Sequence, residues 1–210
     1  MQRKPVLLAM RWIPLYFLFL VPPIFGQQCL SLGNDGAVCL PVELQVSHTD
    51  TLPSNLDSIA CILLFSGANS MLSAEDLDRL VTYVEAGGGL YSGSDNWPLQ
   101  SEANQVTDYI YKKQSFGLYT NASAECTSGN GHLELNTLSN IPAGNTTVAF
   151  PLDPRLRVEA WVNDQPLILS GLVTNGRIII DGGYSRFYCQ NRTEESDVIL
   201  SRFIRFLLGN

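Results

Sequence analysis

Residues 84–96 read VEAGGGLYSGSDN, and the reading of the three glycines decides the fold. A dinucleotide-binding loop needs glycines after a strand and before a helix, at positions i, i+2 and i+5. Counting from Gly87, the i+5 position is Ser92. The flanking segments also stand in the opposite order. Upstream, Ser73-Ala-Glu-Asp76 has the form of a helix start with acid in its first turn. Leu77, Leu80, Val81 and Val84 then follow at the spacing of one helical face. The glycines therefore close a helix over 73–86 and feed a strand at 89–93, with no helix N-terminus to hold phosphate.

Working outward, SIACILLFS (58–66) is short and continuously apolar, as a central parallel strand is. The order strand, helix, strand predicts parallel pairing through a right-handed crossover. VELQVSH (42–48) alternates like a half-buried strand. A second helix is expected over 101–113, with Val106, Tyr109 and Ile110 facing inward. HLELN (132–136) is expected as a short strand. VEAWV (158–162) and PLILSGL (166–172) flank Asn163-Asp164-Gln165, a hairpin signal, and RIIIDGG (177–183) follows an Asn175-Gly176 turn. DVILSRFIRFLL (197–208) reads as an apolar terminal helix.

The first 26 residues have the order of a secretory signal peptide: Arg3 and Lys4, ten apolar residues from Trp12 to Val21, Pro22-Pro23, then Gly26. The apolar run is half of what a spanning helix needs, about 20 residues. The mature chain is read as one α/β domain, 27–210, secreted and without a membrane span. Removing 1–26 takes three of the 13 basic residues and none of the 20 acidic ones, leaving a net charge of −10. Such a surface disfavours nucleic acid. Three sequons, at Asn121, Asn145 and Asn191, become glycosylation candidates behind a signal peptide.

Five cysteines in an oxidising compartment suggest up to two bridges. Cys61, inside an apolar run, is expected as a buried thiol. Cys29, Cys39, Cys126 and Cys189 then allow three pairings, of which Cys29–Cys39 with Cys126–Cys189 is favoured. No cysteine or histidine has metal-ligand spacing, and no cofactor motif is present.

Two blocks carry a family resemblance. ACILLFSGANSMLSAEDLDRLVTYVEAGGGLYSGSDN (60–96) and ILSGLVTNGRIIIDGGYSRF (168–187) with its closing helix resemble segments of the class I glutamine amidotransferase-like superfamily. The resemblance implies a mainly parallel central sheet flanked by helices, a flavodoxin-like three-layer sandwich. It also implies a nucleophile at the elbow after the GGGL strand, commonly Cys, assisted by a His on a later strand. Here the elbow is Ser92-Gly93-Ser94-Asp95-Asn96-Trp97, and the later strand ends Asp181-Gly182-Gly183. Neither holds the expected residue.

The candidate site is the edge where these two strands end, because ligands of open α/β sheets bind outside the carboxyl ends of strands. Ser92, Ser94, Asp95, Asn96, Trp97, Asp181, Tyr184 and Arg186 gather there, with Phe187 and Tyr188 beside them. The expected function is a non-catalytic module that binds an extracellular protein or a glycan. The rival is a hydrolase using Asp95 with Ser92 or Ser94. Its weakness is the base, since the chain has only His48 and His132.

Overall fold

A computed structural model describes residues 28–41, 44, 46–69, 71–117 and 127–210. The expected signal peptide, Asn121 and Cys126 lie outside the described residues. The chain runs β1 (Gln28–Gly33), β2 (Val46–Thr49), β3 (Ile59–Phe65), α1 (Ala74–Glu85), β4 (Gly89–Gly93), α2 (Ser101–Tyr111), β5 (Phe116–Gly117), β6 (Thr127–Ser128), β7 (Val148–Ala149), β8 (Leu156–Val162), β9 (Gln165–Val173), β10 (Gly176–Asp181) and α3 (Glu194–Leu208). Eight strands form one sheet in the order β2-β1-β3-β4-β10-β9-β8-β6, and β5 pairs with β7 in a separate ribbon.

The sheet is mixed, which corrects the expectation of a mainly parallel, flavodoxin-like sandwich. Strands β2, β1, β3, β4 and β10 pair in parallel, whereas β10–β9, β9–β8 and β8–β6 are antiparallel. Among the described residues, three α-helices accompany the eight strands. The reason is local. Two-residue turns join β8 to β9 and β9 to β10, and such a turn can only return the chain antiparallel. Asn163, Asp164 and Thr174 take positive φ values of 48°, 60° and 54° to make them.

The glycine run resolves as expected. Ser73 caps α1 in a reciprocal box with Asp76, and the helix buries Leu80, Val81 and Val84. Gly87 then turns the chain at φ 124°. Gly88 and Gly89 serve close approach instead: a Cβ would fall 2.2 Å from the Tyr83 ring at the first and 2.5 Å from the Leu207 carbonyl oxygen of α3 at the second. Successive β3 residues face opposite sides of the sheet. Cys61, Leu63 and Phe65 pack with Tyr91, Ile179 and α3 residues Ile199, Phe203 and Leu207. Ile62 and Leu64 pack with Leu90, Ile178, Leu80, Val84 and Val106 on the side of α1 and α2. Each fully buried aliphatic side chain contributes about 1.5–3 kcal/mol.

Local expectations fail in three places. QCLSLG (28–33) is a strand between β2 and β3, not part of a short polar loop. Residues 132–136 form no strand; Glu134 takes φ 52° and a 3-10 turn follows over Leu135–Thr137. Leu133 and Leu135 still point inward, and the backbone N–H groups of His132 and Leu133 are satisfied by the buried Glu159 carboxylate. The alternation was real, but a side chain replaced the ladder. Helix α2 ends two residues early, at left-handed Lys112, and Tyr109 is 43% exposed.

The cysteine pairing is also corrected. Cys29 bonds Cys61 and Cys39 bonds Cys189. Cys29 and Cys61 are register partners on neighbouring strands, with Cα atoms 4.6 Å apart, within bridging distance. Cys61 is therefore not a free thiol, and Cys189 is not available to Cys126. Among the described residues, no helix is long and apolar enough to cross a membrane.

Candidate functional site

Strands β4 and β10 end in register, Gly93 opposite Asp181. The Ser94 N–H donates to the Asp181 carbonyl (2.7 Å) and the Tyr184 N–H to the Ser94 carbonyl (3.2 Å), so the two following loops are zipped together. The structure thus brings Ser94, Asp95, Asn96, Asp181, Tyr184 and Arg186 to one edge. Most of them face the interior of it.

Asp181 is fully buried. Its Oδ2 accepts from the Tyr91 hydroxyl and from Arg186 Nη1, both at 2.8 Å, and its Oδ1 accepts from the Gly183 N–H at 3.0 Å. Arg186, 1% exposed, also donates through Nη2 to the Ala143 carbonyl at 2.9 Å. Burial raises the Asp181 carboxyl above its ordinary range, and the Arg186 guanidinium, the Tyr91 hydroxyl and the Gly183 N–H oppose that rise. Burial also raises the Tyr91 phenol, with the Asp181 charge adding to it.

Asp95 is 1% exposed. The Asn96 N–H donates to Oδ1 (2.7 Å), the Ser185 N–H to Oδ2 (3.1 Å), and the Thr146 hydroxyl to Oδ1. Burial pushes this carboxyl upward too, against the bonds from Ser185 and Thr146. Thr146 was not foreseen. Its oxygen also lies 2.7 Å from Asn96 Oδ1, which competes with Asp95 for the single hydroxyl proton. Glu102, in the first turn of α2, was missed as well: its buried carboxylate accepts from the N–H groups of Gly67 (2.8 Å) and Met71 (3.1 Å). Its place beside Ser101 advertised only a helix start.

The hydroxyls are poorly placed for attack. Ser92 is fully buried on the Leu90 face of β4, and its Oγ has no partner among the described residues. Among the described residues, Ser94 Oγ reaches only the Asp181 carbonyl, at 3.4 Å. Tyr184 is buried, donating to the Ser66 carbonyl (2.8 Å) and accepting from Asn34 Nδ2 (3.0 Å). Trp97 alone stands out, 71% exposed. Among the described residues, no group of three or more His, Cys, Asp or Glu is set to hold a metal ion.

His132 stacks on Phe206 at 5.4 Å, away from this edge. His48, at the end of β2, has Nδ1 2.8 Å from Asp35 Oδ2 and Nε2 3.2 Å from Asp50 Oδ1. Ser31 donates to the same Asp35 oxygen, so the serine serves the acid and not the imidazole. The Asp35 hydrogen bond raises His48 above 6.5. Protonated His48 therefore favours the folded state below pH 6.5, and that contribution fades as pH rises through the folded value. An NMR titration should put the His48 midpoint above 6.5 and should lower it in Asp35→Asn. A midpoint at or below 6.5 would contradict the pairing.

The opposite, amino edge of the sheet carries an open hollow of about 860 Å³, lined by Leu56, Ile59, Arg79, Tyr83 and Leu207 among others. Arg79 is committed there to Asp76 and to the carbonyls of Leu52 and Pro53.

No protein-family model and no curated protein matches the chain. Solved structures do. A cytoplasmic protein from Salmonella typhimurium superposes with TM-score 0.63 at 13% identity, covering 85% of this chain and 98% of its own. The mmIFT52 N-terminal domain gives 0.65 at 9% identity, with 87% and 98% covered. A ThuA-like protein from Parabacteroides merdae gives 0.59 at 10% identity, with 86% and 89% covered. At these identities the likeness is one of fold alone.

Proposed function

We propose that the chain is a secreted, non-catalytic binding or interaction module, distantly related to class I glutamine amidotransferase-like proteins, that engages its partner at the carboxyl edge of β4 and β10. The observation that carries this is how the edge spends its groups. Asp95 and Asp181 are buried and saturated by internal donors, whereas Trp97 is presented to solvent. General acid–base work needs a carboxyl within reach of substrate protons. A carboxylate with every oxygen occupied inside the protein is a strut for the loops above it. The relationship to amidotransferase-like proteins rests on the two sequence blocks.

Secretion is supported by two disulfides, since structural bridges are rare in reducing compartments. The Salmonella neighbour, named as cytoplasmic, shares the fold without bearing on compartment. Glycosylation belongs to the same proposal. At Asn191 the side-chain amide donates to the Ser185 carbonyl (2.8 Å), and Thr193 of that sequon caps α3. At Asn145 the backbone N–H is held by Ser185 Oγ (2.8 Å).

The test is turnover. Purified mature chain should hydrolyse neither p-nitrophenyl acetate nor L-glutamine faster than its Ser92→Ala and Ser94→Ala variants. Turnover of either compound that is abolished by one of these substitutions overturns the non-catalytic reading and restores the hydrolase.

A further inference from the structure

We infer that Trp97 and Asn96 form a saccharide subsite: the indole is a stacking plate for the face of a neutral sugar ring, and the Asn96 amide hydrogen-bonds a ring hydroxyl. This rests on the reading of that edge as a binding site and gives it a ligand class.

The first ground is presentation. The indole is 71% exposed, unusual for a residue that is highly buried on average. Yet the backbone of the loop that carries it is tied down on both sides of Trp97. The Asp95 N–H donates to the Leu99 carbonyl (2.8 Å), the Leu99 N–H to the Asn96 carbonyl (2.8 Å) and the Gln100 N–H to the Pro98 carbonyl (2.9 Å). Below it, the Asp95 side chain is held by Asn96, Ser185 and Thr146. A backbone already fixed in position loses little freedom when something settles on it, and that lowers the cost of binding.

The second ground is the polar neighbour. Thr146 Oγ1 stands 2.7 Å from the Asn96 amide and holds one end of it in place. The other end has no protein partner among the described residues, and Asn96 is half-exposed. One open amide end therefore stands one residue from the indole.

The surroundings select the ligand. A peptide anchor of the hot-spot kind needs a desolvated apolar pocket, whereas Trp97 stands 71% exposed. A quaternary ammonium needs a cage of several rings, and among the described residues no second ring contacts this indole. The arginine of this edge offers nothing to an anion, because Arg186 is buried on Asp181. A sugar ring is apolar on its face and hydroxylated at its rim, which matches an apolar plate beside an open amide.

The mature chain offers an internal control. With residues 1–26 removed, its tryptophans are Trp97 and Trp161, and Trp161 lies on β8, three strands from β4. Cellotetraose, mannotetraose, chitotetraose and laminaritetraose should be titrated separately while the two indole N–H signals are followed by NMR. The expected result is a saturable shift of the Trp97 signal by at least one of them, with Kd on the order of 1 mM, and no shift at Trp161. Trp97→Ala should weaken binding at least tenfold and Trp97→Tyr less. Asn96→Asp replaces the amide with a carboxylate of the same shape that cannot donate when ionised, and should weaken binding severalfold. Failure of all four sugars to shift Trp97, or binding indifferent to Trp97→Ala, overturns the subsite. A saturable shift by decaproline where no sugar acts also overturns the sugar class while leaving the binding module standing. Only serine-dependent turnover removes the binding module itself.

Discussion

Arg186→Ala is expected to lower the unfolding free energy by about 3–5 kcal/mol, the usual cost of stripping one partner from a buried ion pair. Neither Arg186 nor Asp181 exposes its side chain, and they meet at 2.8 Å. Truncation would leave the Asp181 carboxylate buried with only the Tyr91 hydroxyl and the Gly183 N–H. It would also leave the Ala143 carbonyl without the Nη2 donor. The damage should spread, because Ala143 belongs to the 141–149 segment that reaches Asp95 through Thr146. The pair itself need not be net favourable. Arg186 Nε has no partner among the described residues, and well-packed apolar replacements of both residues often recover what the single change loses. Arg186→Met with Asp181→Leu should accordingly be more stable than Arg186→Ala alone, less the cost of an unpaired Tyr91 hydroxyl. Urea unfolding of the parent and the two variants checks this. A loss below about 1 kcal/mol for Arg186→Ala, the scale of exposed pairs, would show that water screens the pair.

That ion pair marks where sequence reading stops. Local signals placed both ends of it: RIIIDGG is a core strand ending at Asp181, and the turn past it carries Arg186. Nothing local says that the two meet, or that Tyr91, 90 residues earlier, completes the set. Thr146 and Asp95 are 51 residues apart, and the threonine sits in a stretch whose composition suggested only loop. Strand ends are encoded by short-range periodicity, whereas the state of a side chain depends on what folds over it. The glycines of 87–89 were legible because turn, helix cap and strand start all agree within a dozen residues.

The fold reading went astray for a different reason. Asn163-Asp164 and Asn175-Gly176 both carry turn chemistry, and together they imply that β8, β9 and β10 follow one another antiparallel. A resemblance carried by the parallel half was extended over strands whose own turns contradicted it. The cysteines followed the same pattern. Cys61 in an apolar run looked like a small hydrophobe, but its strand neighbour in space is Cys29, whose own strand had been read as loop.

Removing the Cys39–Cys189 bridge should cost about 5 kcal/mol in the chain-entropy model, since it closes a separation of 150 residues, against about 4 kcal/mol for Cys29–Cys61 at 32. These are upper figures, because residual order in the unfolded chain reduces them. The two bridges should differ more sharply in access than in energy. Cys29 and Cys61 are buried in the core under α3, whereas Cys189 is exposed in the loop after Phe187. A thiolate must reach a sulfur to exchange with it. Mild dithiothreitol on the native protein should therefore open Cys39–Cys189 first, and alkylation with mass mapping should label those two cysteines well before Cys29 and Cys61. The opened loops should not fly apart, because the Cys39 N–H still donates to Phe187 (3.0 Å) and the Cys189 N–H to Ala37 (2.9 Å). The variant Cys39→Ala/Cys189→Ala should thus keep its fold at room temperature and lose its resistance to urea. Label on Cys61 before Cys189, or a double variant within about 1 kcal/mol of the parent, would mean that this edge is held by the backbone bonds and the Asp95 and Asp181 networks alone.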